Sequence, residues 1–207
     1  GEAALAVLRA CGPGAIGLAA ACFSRPEALL ASPGMGLVHG ELLDPATGEA
    51  VDEVLAAVYR SPGGPVGEDG VELFCHGSPA VVRRALAALA KAGFSPALPG
   101  EFSFRAFLRG KTDLVRAEAV QELVRASSEG ARAEALLRLE GGLSRRISAL
   151  RSGLLDLLAE AEARLDFDEE DGAPAGGLGP GRIASLRKEI EELAASYAVG
   201  RLYDSGA

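Results

Sequence analysis

The chain has 207 residues, 48% of them hydrophobic and 24% charged, and its 21 basic against 29 acidic side chains leave a formal charge of −8. That length suffices for one large or two modest cored domains, and the acidic balance argues against a broad nucleic-acid grip by this chain alone. No apolar run approaches the ~18 residues of a membrane span, and no charged segment precedes an apolar one at the N-terminus, so a cytoplasmic protein with no membrane contact is expected. Cys11, Cys22 and Cys75 are odd in number and lack CxxC spacing, which reads as reduced thiols.

In chain order, Ala3 to Ala10 reads as a short buried strand with Arg9 near its end. Gly12 to Gly17 then matches G-x-G-x-x-G, opening an alanine-rich helix to about Cys22; alone this is a weak dinucleotide-binding signal, because the next two strands read as a hairpin rather than a crossover. Ser24 to Glu27 has the spacing of a capping box for a helix to about Ala31. Gly36 to Leu43 and Ala50 to Arg60 read as strands joined by Asp44-Pro45-Ala46-Thr47-Gly48. Val51, Val54, Leu55 and Val58 do not alternate cleanly, so the second strand is expected to be buried on both faces or bulged. His39, between Val38 and Gly40, reads as a structural histidine. Ser61 to Gly67 reads as a flexible loop and Glu68 to Gly77 as a further strand. Ser78 then caps a helix with Pro79 in its first turn and Gly93 beyond its end, and Phe94 to Leu98 is a strand or turn.

Pro99 to Val120 is the join between two architectures. It reads as a loop rich in phenylalanine and charge that becomes a helix behind Asp113, which stands at an N-cap position. Upstream, strands mixed with helices over about 110 residues suggest an α+β domain. Downstream everything is helical. Leu143, Ile147, Leu150, Leu154, Leu157, Leu158, Ala161 and Leu165 recur at helical spacing, as do Ile183, Leu186, Ile190, Leu193 and Tyr197. Between these stripes lie the acidic run Asp166 to Asp171 and a Gly/Ala/Pro-rich linker over 172–181. The expected organisation is an α+β domain over 1–111 and an all-α helical-bundle domain over 112–207. The chain opens inside a strand and stops without a closing element, so it is expected to be part of something longer.

Three apparent motifs carry little chemistry. Gly110-Lys111-Thr112 mimics the end of a P-loop but has Arg105 where that loop needs its first glycine, so no GTP hydrolysis is expected of this chain. Cys75 and His76 are neighbours on a strand and must point to opposite faces, which argues against a thiol–imidazole pair. The acidic run lacks the glycine-centred spacing of a calcium loop. There remains a set of charges at strand and loop ends. Arg9, Glu72 and Lys111, with Glu101 and Arg105 and beside Phe102, Phe104 and Phe107, could line a pocket for a planar, anionic, amide-bearing ligand. Cations would hold carboxylates, a Glu would accept from ring N–H groups, and aromatics would cover the ring.

Several ordered motifs carry a family resemblance over nearly the whole chain. AVLRACGP is similar to an I-x-R-x-S-G-P strand end, and GEDGVELFCHGSPAVV to T-G-E-D-x-x-E-x-x-x-H-G-G. PGEFSFRAFLRGKTDLVRAEAV, ASSEGARAEALLRLEGGLS, ARLDFDEED and GRLYDSG come next, in the order of the tRNA-modification GTPases called MnmE or TrmE. The chain departs from that pattern at Pro65-Val66-Gly67, where an aromatic is usual before T-G-E-D, and at Ser78, which replaces the second glycine after His76. The GTPase domain, the second half of the helical domain and the C-terminal cysteine motif of the family are absent from this sequence.

The resemblance implies an N-terminal fold like folate-binding aminomethyltransferase domains, a homodimer formed through it, and a 5-formyl- or 5,10-methylene-tetrahydrofolate cofactor. Carried over by motif, the folate contacts fall on Arg9, Glu72 and Lys111, with Glu101, Phe102 and Arg105 nearby. It further implies a whole enzyme that hydrolyses GTP with potassium and magnesium in another domain. With an FAD-containing partner resembling MnmG, that enzyme would add an aminomethyl-type group to the wobble uridine of tRNA, the tRNA being gripped mostly by the complex. A structural dimerisation module without a ligand site, or a dinucleotide-binding domain at Gly12 to Gly17, are the alternatives.

Overall fold

Residues of strand β1 (Leu5–Cys11) alternate between exposed and sheltered positions, and this period of two sets the face of the sheet that becomes core. The computed structural model describes residues 3–166 and 180–204, and the chain divides into two compact units, Gly1–Thr112 and Asp113–Ala207. In the first unit β2 (Gly36–Leu43), β3 (Ala50–Tyr59) and β4 (Gly70–His76) join β1 in a sheet of order β1-β4-β3-β2. Every pairing is antiparallel. The β2–β3 hairpin turns where expected, with Asp44 Oδ1 accepting from the Ala46 N–H at 2.9 Å.

Four helices accompany this sheet: α1 (Ala15–Ala20), α2 (Pro26–Ala31), α3 (Pro79–Lys91) and α4 (Glu101–Leu108). Ile16, Leu29, Leu42, Val54, Val58, Leu73 and Leu89 meet in one apolar cluster, where each large side chain contributes roughly 1.5–3 kcal/mol by leaving water. The mixed pattern of β3 has both of the foreseen causes. Ala56, Ala57 and Val58 are buried consecutively, and the register of the hairpin shifts at Leu42/Leu43. Cys75 is buried and His76 exposed, so neighbours on β4 do point apart; His76 Nδ1 instead meets Asp52 Oδ1 at 2.8 Å. His39 is an exposed partner of Glu53 at 2.7 Å.

Several local expectations are corrected. The Ser24 hydroxyl does not cap α2. It accepts from the Glu41 N–H at 2.8 Å, and Arg25 is the N-cap residue with no side-chain cap bond, because the neighbouring strand offers Ser24 a better-placed donor. The loop over 61–67 is tied down rather than flexible: Val66 is buried, the Ser61 N–H donates to Asp69 Oδ1 at 2.8 Å, and Ser61 Oγ donates to the Gly67 carbonyl at 3.2 Å. Phe94 to Leu98 forms neither strand nor helix. The segment from Glu101 is a helix, not a loop. Gly100 enters it with φ 79°, and Glu101 Oε2 accepts from the Leu98 N–H at 2.9 Å. The dinucleotide fingerprint also loses its setting. Its glycines come after β1, but β1 pairs antiparallel with β4, and among the described residues no parallel βαβ crossover forms.

The second unit contains α5 (Leu114–Arg125), α6 (Glu129–Leu139), α7 (Gly142–Asp166) and α8 (Pro180–Asp204). Asp113 caps α5 by accepting from the Arg116 N–H at 2.9 Å, as Ser128 caps α6 by accepting from Ala131 at 3.2 Å. Arg138 of α6 reaches Glu122 of α5 at 2.8 Å. An α+β unit followed by a helical one is thus the observed architecture. Among the described residues no helix is long and apolar enough to cross a membrane. The acidic run beyond Asp166, most of the 172–181 linker, and the side chains of the GRLYDSG motif lie outside the described residues.

Candidate functional site

Arg9 and Glu72 lie 63 residues apart in sequence and directly opposite each other in the β1–β4 register. Residues facing across an antiparallel pair on one side of the sheet come within side-chain reach. Arg9 Nε donates to Glu72 Oε1 at 2.6 Å, and its Nη2 lies 2.6 Å from the same oxygen. Glu72 is 7% exposed, an unusual place for a carboxylate. It is tolerated because both oxygens are satisfied: the Tyr59 hydroxyl donates to Oε2 at 2.9 Å. The Arg9 side chain, 42% exposed, spreads its guanidinium over the Phe102 ring at 5.7 Å from the centroid.

Phe102 comes from α4, which brings Glu101 and Arg105 to the same place. Arg9, Cys11, Leu18, Leu89, Phe102 and Arg105 are among the residues lining a cleft of about 390 Å³, and Glu101 is on its wall as well. Four of the six candidate residues therefore share one cavity, and Glu72 touches it through Arg9. The backbone at Gly12, with φ 135°, passes close to α4, since a Cβ there would stand 3.8 Å from Arg105 Nη1. Burial raises the Cys11 thiol above its usual value, with Arg105 opposing the effect, so Cys11 lines the cleft as a neutral group.

Lys111 is placed differently. Its Nζ donates to the Pro62 carbonyl at 3.2 Å, and its stem lies against Gly67, where a Cβ would fall 2.8 Å from Lys111 Cγ. Phe104 and Phe107 do not line the cleft; they are 59% and 41% exposed on the outer side of α4. Sequence reasoning missed two residues. Glu68, nearly buried, binds Arg105 Nη1 at 3.3 Å through one oxygen and Arg109 Nε at 3.0 Å through the other. Its signal was the GEDGVEL motif, although nothing in that string shows which cations it meets. Tyr59 is the other, and no sequence signal singled it out. Among the described residues no group of three or more His, Cys, Asp or Glu is arranged to hold a metal ion.

This donor set fits a flat ligand bearing carboxylates. Arg9 and Arg105, paired with Glu72 and Glu68, keep further N–H groups for a carboxylate, Phe102 offers a ring face, and Leu18 and Leu89 give the cleft an apolar wall.

Comparison with known proteins places the chain in a family. The family described as GTP-binding protein TrmE N-terminus matches residues 1–111, and the MnmE helical domain matches residues 114–207. A tRNA modification GTPase MnmE of Thermus thermophilus is 44% identical over 207 residues, which is all of this chain and 47% of that protein. Proteins of the same name from Treponema denticola and Chlorobium luteolum are 39% and 42% identical, with 43% and 44% of their lengths covered. The chain spans about half the length of the curated relatives it matches. A family match over more than half the chain, joined to a second over its helices, establishes that this chain belongs to the TrmE/MnmE family and carries its N-terminal and helical domains.

Proposed function

We propose that the first unit binds a reduced folate, 5-formyl- or 5,10-methylene-tetrahydrofolate, within a tRNA-modification GTPase. The observation that carries this reading is the cleft in which Arg9 lies over Phe102 and Arg105 lines the same wall. Arg9 and Arg105 would hold the ligand's carboxylates, Phe102 would cover its ring, and the apolar wall would keep water from it. Glu101 and Arg105, 3.6 Å apart, brace α4 internally. Lys111 would act from the neighbouring loop. The bound folate would supply the one-carbon unit of an aminomethyl-type group placed on the wobble uridine of tRNA.

The protein would pair as a homodimer through the first unit. Leu5 and Val7 of β1, Leu37 of β2 and Leu55 of β3 are exposed large apolar side chains on the sheet, a surface suited to a second copy. GTP, potassium and magnesium would be handled outside this chain, together with an FAD-containing MnmG-like partner and tRNA. The cytoplasm is the fitting compartment for such an enzyme. Calorimetric titration with 5-formyltetrahydrofolate, with mass followed by light scattering, tests the reading. Micromolar binding to a dimer, weakened but still measurable in Arg9→Ala, is expected. A well-folded dimer with no heat of binding would leave a scaffold and sink the folate assignment.

A further inference from the structure

Glu72 is the most enclosed charge of the cleft region, yet its carboxylate is already engaged on both oxygens, by Arg9 on one and Tyr59 on the other. Tyr59 ends β3 two residues beyond Ala57, the direct partner of Glu72, so it reaches the carboxylate on the diagonal of the same sheet face. The turn after β3 leaves room for its ring only because residue 64 is glycine: a Cβ there would stand 2.8 Å from Tyr59 Cβ and 2.9 Å from Cδ1. Burial and the bond to Glu72 raise the phenol above its usual value, which keeps its proton in place as a donor. Arg9 is held at Nε and Nη2, and its guanidinium plane is thereby fixed over Phe102.

We propose that Tyr59 is a positioning residue for Arg9: it fixes the Glu72 carboxylate, and Glu72 in turn holds the Arg9 guanidinium in one orientation over Phe102. The inference rests on reading the cleft as a ligand site, but its geometry can be measured without a ligand. An arginine whose carboxylate partner is free to rotate loses the preorganised fork that makes guanidinium recognition specific.

The test uses the full chain and two readouts. Nuclear magnetic resonance of the Arg9 Nε–H, without ligand, should show an ordered group in the parent protein and a mobile one in Tyr59→Phe. Glu72→Gln should release the same group and serves as the second variant should Tyr59→Phe fold poorly. Titration with 5-formyltetrahydrofolate should show about tenfold weaker binding for Tyr59→Phe, the scale of one hydrogen bond to a charged group. In an Arg9→Ala background Tyr59→Phe should weaken binding less than it does in the parent protein, which a general loss of structure would not reproduce. Unchanged Arg9 mobility in both variants overturns the proposal, whatever the folate does. Full additivity in the double variant overturns it as well. A parent protein that binds no folate, with Arg9 still freed by Tyr59→Phe, would remove the folate reading and uphold the positioning role.

Discussion

The two units spend their apolar residues differently. In the first, strands distant in sequence clamp a shared cluster in which Leu29, Leu42, Val54, Val58 and Leu73 are almost completely buried. In the second, among the described residues, Ala119, Ala135 and Leu157 are the buried hydrophobics, while Ile147, Leu154, Leu155, Leu158, Ile183 and Ile190 remain exposed. Helices α7 and α8 do meet, with Leu154, Leu157, Ile183, Leu186 and Ile190 around an open apolar groove. The lesson is that helical period alone makes elements but not a core. The first unit is held by non-local pairing, whereas the second, among its described residues, buries few large apolar side chains, and its partly exposed ion pairs, such as Arg138 with Glu122 and Glu134, add little each.

The sharpest way to break this comparison is a matched pair of truncations. Leu73→Ala, at a side chain 2% exposed, should cost about 3 kcal/mol in denaturant unfolding. Leu158→Ala, at one 53% exposed, should cost under about 0.5 kcal/mol. Equal losses would mean that the helical unit has a core of its own. A smaller effect sharpens the contrast. Asp113→Ala removes the acceptor that satisfies the Arg116 N–H and should cost about 1 kcal/mol, visible as lost helical circular dichroism on heating.

The smallest effect concerns the sheet surface. The hydrogen bond and charge of Asp52 raise His76 above its ordinary value. A raised folded-state value means the protonated form is favoured by folding. The stabilisation is therefore fully present below the ordinary histidine value and is lost as pH rises through the raised one. Asp52→Asn should bring the His76 titration back down, followed by its ring proton resonances. A titration unmoved by the substitution would show that the pair does not form in solution.

Much of this fold was legible because its signals are local. The Asp44–Gly48 turn, the Ser78 cap and the Asp113 cap each arise from side chains bonding backbone within a few residues. Helix α4 was not legible, because its stripe of Phe104, Phe107 and Leu108 is exposed while Phe102 faces the cleft from the other side, and its N-cap is a glycine with no side-chain signal. The capping box at Ser24 failed for the opposite reason: a strand 17 residues away takes its hydroxyl. In the site, residue types alone could nominate Arg9, Glu72 and Arg105. They could not show that Glu68 gathers Arg105 and Arg109 across about forty residues, or that Tyr59 sits on Glu72, because those meetings depend on strand register and loop closure.

Among the described residues strand β1 lies at the edge of the sheet, paired on one side only, by β4. Arg9 and Cys11, which line the cleft, are both carried on it. An edge strand opens more readily than a central one, since it has half the ladder to break. A ligand held by Arg9, as proposed, would therefore add a second fastening to the less secured side of the unit. Linkage makes the exchange reciprocal: by whatever factor occupancy discourages β1 from fraying, fraying of β1 weakens the ligand by the same factor.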